Sequence, residues 1–219
     1  MTVPAHGTRG RGRPARVSRD SIIEAARSIP PVDLSMQSVA DRLGVDRSTI
    51  NYHFSDREDL FTAVAAFAFG NEMSGFVAPP VGDWRQWVAT YARAVHSALR
   101  RHPEFAGYVR LASGADAAAF APIEGLITAL THAGFSERNM AQSVAYVSEV
   151  VHAAARNEIL VTSGRHPQGA ELDRFFDGQS DDAVPGLRRL VELDPYDHEN
   201  HFEFAVTMLV AGLETLLPT

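Results

Sequence analysis

Apolar residues recur every three or four positions along most of this chain, and no stretch alternates apolar with polar at the period of a strand. That regularity restricts the fold to helices packed on helices. The first patterns are short. Ser18 can cap a helix carrying Ile22, Ile23 and Ala26 on one face, stopped by Pro30-Pro31. Ser35 can cap Met36 to Leu43, with Val39, Ala40 and Leu43 at helical spacing and Gly44 as terminator. Asp46 can cap a third helix, Arg47 to about His53, with Ile50 and Phe54 inward. Ser55-Asp56-Arg57-Glu58 reads as a capping box opening a longer helix through Leu60, Phe61, Val64, Phe67 and Ala68.

Beyond Pro79-Pro80 the helices lengthen. Trp84, Trp87, Val88, Tyr91, Val95 and Leu99 form one stripe, ended by Pro103, and a short segment 104–111 carries Phe105 and Tyr108. Helices are expected over 116–133 and 136–161, separated by Gly134. The second is apolar on two sides, through Met140, Val144, Val147 and Val151 and through Tyr146, Val150 and Ala153. Such a helix is buried twice, in its own bundle and against a partner. Residues 163–182, rich in Gly, Asp and Ser, read as a long polar loop. Helices around 187–193 and 199–217 close the chain.

The chain has 219 residues and no cysteine, which excludes disulfides, thiolate metal sites and a Cys nucleophile. No apolar run approaches the ~20 residues of a membrane helix, and the N-terminus has no signal-peptide core. The location expected is cytoplasmic. Net charge is −7, but it is unevenly spread. Residues 1–54 carry eight arginines against five acids, whereas residues 55–219 carry twelve against twenty-two. A basic module that meets a polyanion is joined to an acidic module with another task. Residues 1–17, with Arg9, Arg11, Arg13 and Arg16, are an arm with no hydrophobic period. It is either a solvated tail or a basic arm that lies along phosphates or enters a minor groove.

Two short helices joined by Leu43-Gly44-Val45-Asp46 have helix-turn-helix dimensions. Packing Val39, Ala40, Val45, Ile50 and Phe54 inward leaves Arg47, Ser48, Thr49, Asn51, Tyr52 and His53 outward. Arginine can read guanine, asparagine can read adenine, and the hydroxyls and imidazole reach phosphates or bases. The fuller string is more specific. Ile22-Ile23-Glu24-Ala25-Ala26, Val39-Ala40-Asp41-Arg42-Leu43-Gly44-Val45, Ser48-Thr49-Ile50 and Tyr52-His53-Phe54-Ser55-Asp56-Arg57-Glu58-Asp59-Leu60 resemble the DNA-binding domain of the TetR family of bacterial regulators. Three positions depart from that pattern. Asn51 replaces a tyrosine, so a phosphate contact is lost or exchanged for base reading, and Arg57 replaces a lysine with its charge kept. Pro30-Pro31 replaces a Gly-containing link, ending the first helix early.

Residues Trp84 to Arg110, Gly134-Phe135-Ser136 and Phe202 to Leu217 are similar, more weakly, to the regulatory domain of the family's tetracycline-binding members. The resemblance implies that the C-terminal helices bind a small molecule and dimerise, and that ligand binding separates two reading heads. Two ligand-site histidines of those members align with Met73 and Arg110, which argues against a magnesium–tetracycline inducer here.

The architecture expected is therefore all-α: a basic arm (1–17), a three-helix helix-turn-helix DNA-binding domain (18–62), and a C-terminal helical bundle for ligand binding and dimerisation (63–219). DNA contacts are assigned to Arg47, Ser48, Thr49, Asn51, Tyr52, His53 and Arg57, with Arg13 and Arg16 from the arm. Trp87, Tyr91, Phe105, Tyr108, Phe120, Tyr146 and Val150 are candidate walls of an effector cavity, with His152 and Asn157 as polar anchors. Taken one at a time, the same aromatics read more readily as packed core. Helices 136–161 and 199–217, with small residues Ala205, Ala211 and Gly212, are the expected homodimer face. His198 and His201 beside Asp194 and Asp197 lack the second shell that would argue for metal, so no metal or other cofactor is expected. No catalytic motif is visible. The function expected is a repressor released from a palindromic operator by a small molecule. Its rivals are a constitutive DNA-binding regulator, and an all-α enzyme or partner-binding protein whose helix-turn-helix is only structural.

Overall fold

A computed structural model describes residues 17–80, 82–109, 117–164, 167–180, 183–193 and 198–217. All regular structure among them is helical. Two compact units divide between Leu60 and Phe61, within one helix.

The first unit is built on local capping. In α1 (Arg19–Arg27) the Ser18 hydroxyl accepts the Ser21 amide, and the Ser21 hydroxyl accepts the Ser18 amide. Ser35 and Ser38 repeat this reciprocal box at the start of α2 (Met36–Leu43). Gly44 ends α2 at φ 66°, a left-handed conformation that costs a side chain strain. The Val45 amide then reaches back to the Ala40 carbonyl, closing the turn. Asp46 caps α3 (Arg47–His53) by accepting the Ser48 amide at 2.7 Å. Ile22, Ala26, Val39, Ala40, Ile50, Phe54 and Leu60 are buried and hold the helices together, whereas Val45 is only half-buried.

At α4 (Arg57–Met73) the cap lies one residue later than the expected box. Asp56 accepts the Asp59 amide at 2.9 Å, and the Asp59 carboxylate accepts the Ser55 amide at 3.1 Å. Two carboxylates at a helix N-terminus are stronger acceptors there than one serine hydroxyl.

The second unit is centred on α5 (Trp84–Arg101), which packs on α6 (Ala121–His132), α7 (Glu137–Thr162) and α10 (His198–Glu214). Trp84, Val88, Val95, Leu99, Leu126, Leu130, Val147, Val151 and Leu209 are buried among them. Gly125 is required at the α5–α6 contact, because a Cβ there would lie 2.3 Å from the Trp87 indole. Two expectations are corrected here. The helix expected over 116–133 is a 3-10 turn (Ala117–Phe120) followed by α6, because Pro122 restricts the residue before it and supplies no N–H. The loop expected over 163–182 contains α8 (Pro167–Asp177). Pro167 opens it, Leu172, Phe175 and Phe176 keep helical spacing, and the polar composition of the segment masked that period. Arg188 of α9 (Pro185–Glu192) lies over the Phe176 ring and donates to the carbonyls of Phe176, Gln179 and Ser180, at and just beyond the end of α8.

Candidate functional site

The outward face of α3 is the first candidate site. Arg47, Ser48, Asn51 and Tyr52 are exposed, and Thr49 and His53 are half-buried. Tyr52 leaves 84 % of its surface in water and lies edge-on to His53, at 5.1 Å between ring centroids. The core therefore does not require it. Asp46, which starts this helix, has its carboxyl held below the ordinary 3.8 by hydrogen bonds from the Ser48 hydroxyl and amide. The cap thus stays ionised at the helix's positive end. Arg57 is exposed, but its Nε donates to the Leu34 carbonyl at 3.2 Å and braces the α1–α2 connection. Arg13 and Arg16 lie outside the described residues.

Sequence reasoning missed Arg19. Its Nη1 donates to the His53 carbonyl at 2.8 Å, its Nη2 lies 3.4 Å from Asp59 Oδ1, and its guanidinium covers the Phe54 ring at 4.1 Å. One partner is a backbone carbonyl 34 residues away, for which a sequence carries no signal.

Of the nine candidate effector residues, Val150 and Asn157 line a groove, and the other seven do not line it. Trp87, Tyr91 and Phe105 are buried in the core, with Trp87 against Phe76, and with Phe105 and Tyr108 both against Phe61. Burial pushes the Tyr91 hydroxyl above its ordinary value, partly offset by a hydrogen bond with Ser148. Phe120 is half-buried, and Tyr146 leaves 56 % of its surface exposed on α7. The His152 ring turns back to the Ser148 carbonyl one turn earlier. Val150 and Asn157 do meet a cavity. It is a groove of about 760 Å³ between α7, the start of α10 and the turn after α5. Pro103, Ala106, Ala153 and Leu160 make apolar walls, and Asn157, Arg156 and His201 supply polar groups.

His96 and Glu158, both buried, and the half-exposed Arg100 form a polar cluster that sequence reasoning did not single out. Glu158 of α7 holds Arg100 at 2.8 Å and has its other oxygen 3.1 Å from His96 Nε2, although out of line for a full hydrogen bond. The Phe202 ring of α10 stacks on His96 with centroids 3.7 Å apart. Burial lowers the imidazole's affinity for a proton, Arg100 adds to this, and the carboxylates of Glu158 and Glu203 only partly offset it. Glu203 is itself gripped by Arg93. A folded-state pKa below the ordinary 6.5 means that the unfolded chain takes the proton first. Stability is therefore full above pH 6.5 and falls as the pH drops below it, by at most about 1.4 kcal/mol per pH unit for one proton. Urea unfolding of wild type and His96→Gln between pH 7.5 and 5 should show a shallower loss in the variant.

Asp194 and Asp197 lie outside the described residues, and among the described ones no group of three His, Asp or Glu side chains is placed to hold a metal ion. No helix among them is long and apolar enough to cross a membrane.

Comparison with known proteins adds a family to this geometry. Residues 76–217 match the family described as "Tetracyclin repressor-like, C-terminal domain", and residues 32–64 match "Bacterial regulatory proteins, tetR family". The tetracycline repressor protein class D of Escherichia coli is 26 % identical over 209 residues, covering 93 % of this chain and 92 % of that one. Apo ActR from Streptomyces coelicolor superposes with a TM-score of 0.74 at 19 % identity, covering 92 % of this chain and 98 % of that one. The same ActR in complex with actinorhodin gives a TM-score of 0.71 at 20 % identity, covering 92 % and 97 %.

Proposed function

The chain belongs to the tetR family of bacterial regulatory proteins, and from that premise we infer that it is a homodimeric repressor released from a palindromic operator by a small molecule. The observation that carries this reading is the solvent face of α3, where Arg47, Ser48, Asn51 and Tyr52 stand free of the core on a helix fixed by Asp46 and Phe54. Exposed base-reading side chains on a rigid helix are what the major groove requires. The N-terminal arginines add sequence-independent, salt-sensitive affinity. Action is by binding alone, with no chemical step, and takes place in the cytoplasm where the operator lies.

Dimerisation is assigned to the outer faces of α7 and α10, where Tyr146, Phe204 and Met208 are exposed in the single chain. One head reads one half-site, and two heads related by a two-fold axis read a palindrome. Release follows if the effector binds more tightly to the dimer geometry that separates the heads.

The effector site is assigned to the groove lined by Val150 and Asn157, which suits a largely apolar molecule with one polar edge. ActR was solved with actinorhodin, which supports a small-molecule effector in this chain as well. A magnesium–tetracycline complex does not fit. Met73 is a buried thioether with no hydrogen to donate, and the guanidinium of Arg110 has no lone pair for a cation. A thermal-shift screen against a metabolite panel should find a compound that raises the melting temperature by several degrees and weakens DNA binding. Asn157→Leu keeps the branched outline of the side chain but removes the amide, so the shift should shrink by more than half. A panel with no stabilising compound would favour a constitutive regulator, and an undiminished shift in the variant would place the effector elsewhere.

A further inference from the structure

The structure assigns Arg19 as a positioning residue for DNA reading, an inference that rests on α3 being the reading helix. Helix α3 has seven residues, about 10 Å of helix, and little internal bonding to hold its direction. Its end is also poorly provided. The chain leaves α3 at Phe54 in an extended conformation, without the left-handed glycine that closes α2, so the last carbonyls lack the usual donors. Arg19 supplies one, donating to the His53 carbonyl at 2.8 Å. The same guanidinium lies over the buried Phe54 ring and reaches Asp59, whose other oxygen accepts the Ser55 amide. Three consecutive residues at the α3 exit, His53, Phe54 and Ser55, are thereby tied to the first residue of α1 through one planar group.

The side chains of Arg19 and Asp59 are 44 % and 37 % exposed, so their ion pair adds little to stability. Its consequence lies in geometry. A bidentate contact to a base edge tolerates little tilt of the helix that presents it, whereas phosphate contacts are more forgiving. Loosening the α3 exit should therefore cost specific binding more than non-specific binding. Lysine cannot replace arginine here, because an ammonium has neither the fork nor the flat face.

The test uses Arg19→Gln and Arg19→Lys in the full chain, with two duplexes as probes. One is the duplex that wild type enriches from a random pool, and the other is a scramble of the same composition. Both variants should lose about tenfold or more on the enriched duplex and less than about twofold on the scramble. Hydrogen exchange of the free proteins gives a readout that needs no DNA. Amides of residues 51–55 should exchange faster in both variants, with residues 36–43 unchanged. Equal losses on the two duplexes would make Arg19 a phosphate contact only. Full recovery by Arg19→Lys would reduce its role to charge, and unchanged exchange at 51–55 would remove the positioning role. Each of these results overturns the assignment. If wild type enriches no duplex, the reading of α3 fails, and the exchange experiment still decides whether Arg19 holds the helix.

Discussion

Arg47→Ala combined with Asn51→Ala should reduce operator binding to the level of random DNA while leaving the protein folded and dimeric. Both side chains are exposed on α3, so their removal creates no cavity and strands no buried partner. Surface substitutions of this kind change stability by roughly half a kcal/mol or less. Their loss at the groove is of another order. A bidentate base contact is worth roughly 1–3 kcal/mol, and a two-fold dimer makes each contact twice. Four such contacts sum to roughly 4–12 kcal/mol, which matches the roughly 4–10 kcal/mol that separates specific from non-specific binding. Gel-shift or anisotropy titrations at fixed salt on an enriched and a scrambled duplex measure the difference. Equal affinities for wild type and variant would show that α3 does not read bases.

Phe204→Glu with Met208→Glu should yield a folded monomer with little operator affinity. In the single chain these side chains leave 63 % and 55 % of their surfaces in water, whereas their neighbours Phe202, Val206, Leu209 and Leu213 are buried. The substitutions therefore spare the protomer's own core. At a two-fold interface each carboxylate would meet a copy of itself or be buried without a counter-ion, at a cost of several kcal/mol per charge. Sedimentation at micromolar concentration should show half the wild-type mass, with an unchanged circular dichroism spectrum. A monomer engages one half-site, so binding to the full palindrome should fall by at least about two orders of magnitude. A variant that remains dimeric would move the interface off α10.

How much was legible in the sequence depended on whether a residue's task is local. Ser35, Gly44 and Asp46 each act within three residues of their own position, so α2 and α3 could be bounded from residue chemistry alone. The period also put Arg47, Ser48, Asn51 and Tyr52 outward, as they are, but it put Thr49 and His53 outward too, and these are half-buried. Helix α8 was hidden because Gly, Asp and Ser around it outweigh the short Leu172, Phe175 and Phe176 repeat. The effector residues were the hardest to place. An aromatic at helical spacing has the same signature whether it walls a cavity or fills a core, and Trp87, Tyr91 and Phe105 fill one. Only Val150 and Asn157 of that set reach the groove, whose remaining apolar walls are alanine, proline, isoleucine and leucine, residues without a chemical signature. Arg19 and the His96–Glu158–Arg100 cluster depend on partners 34 or more residues apart, which packing alone reveals.

On the proposed reading, the solvent face of α3 contacts DNA as one half of a two-fold pair. Selection of bound sequences from a random duplex pool by the purified protein, near physiological salt, tests it most directly, because non-specific phosphate contacts are weakened there. The expected result is an enriched palindrome whose half-sites lie ~34 Å apart or a multiple of that distance, with guanine and adenine at fixed positions in each half. A folded, dimeric protein that enriches no sequence, or one that enriches a single asymmetric site, would contradict it.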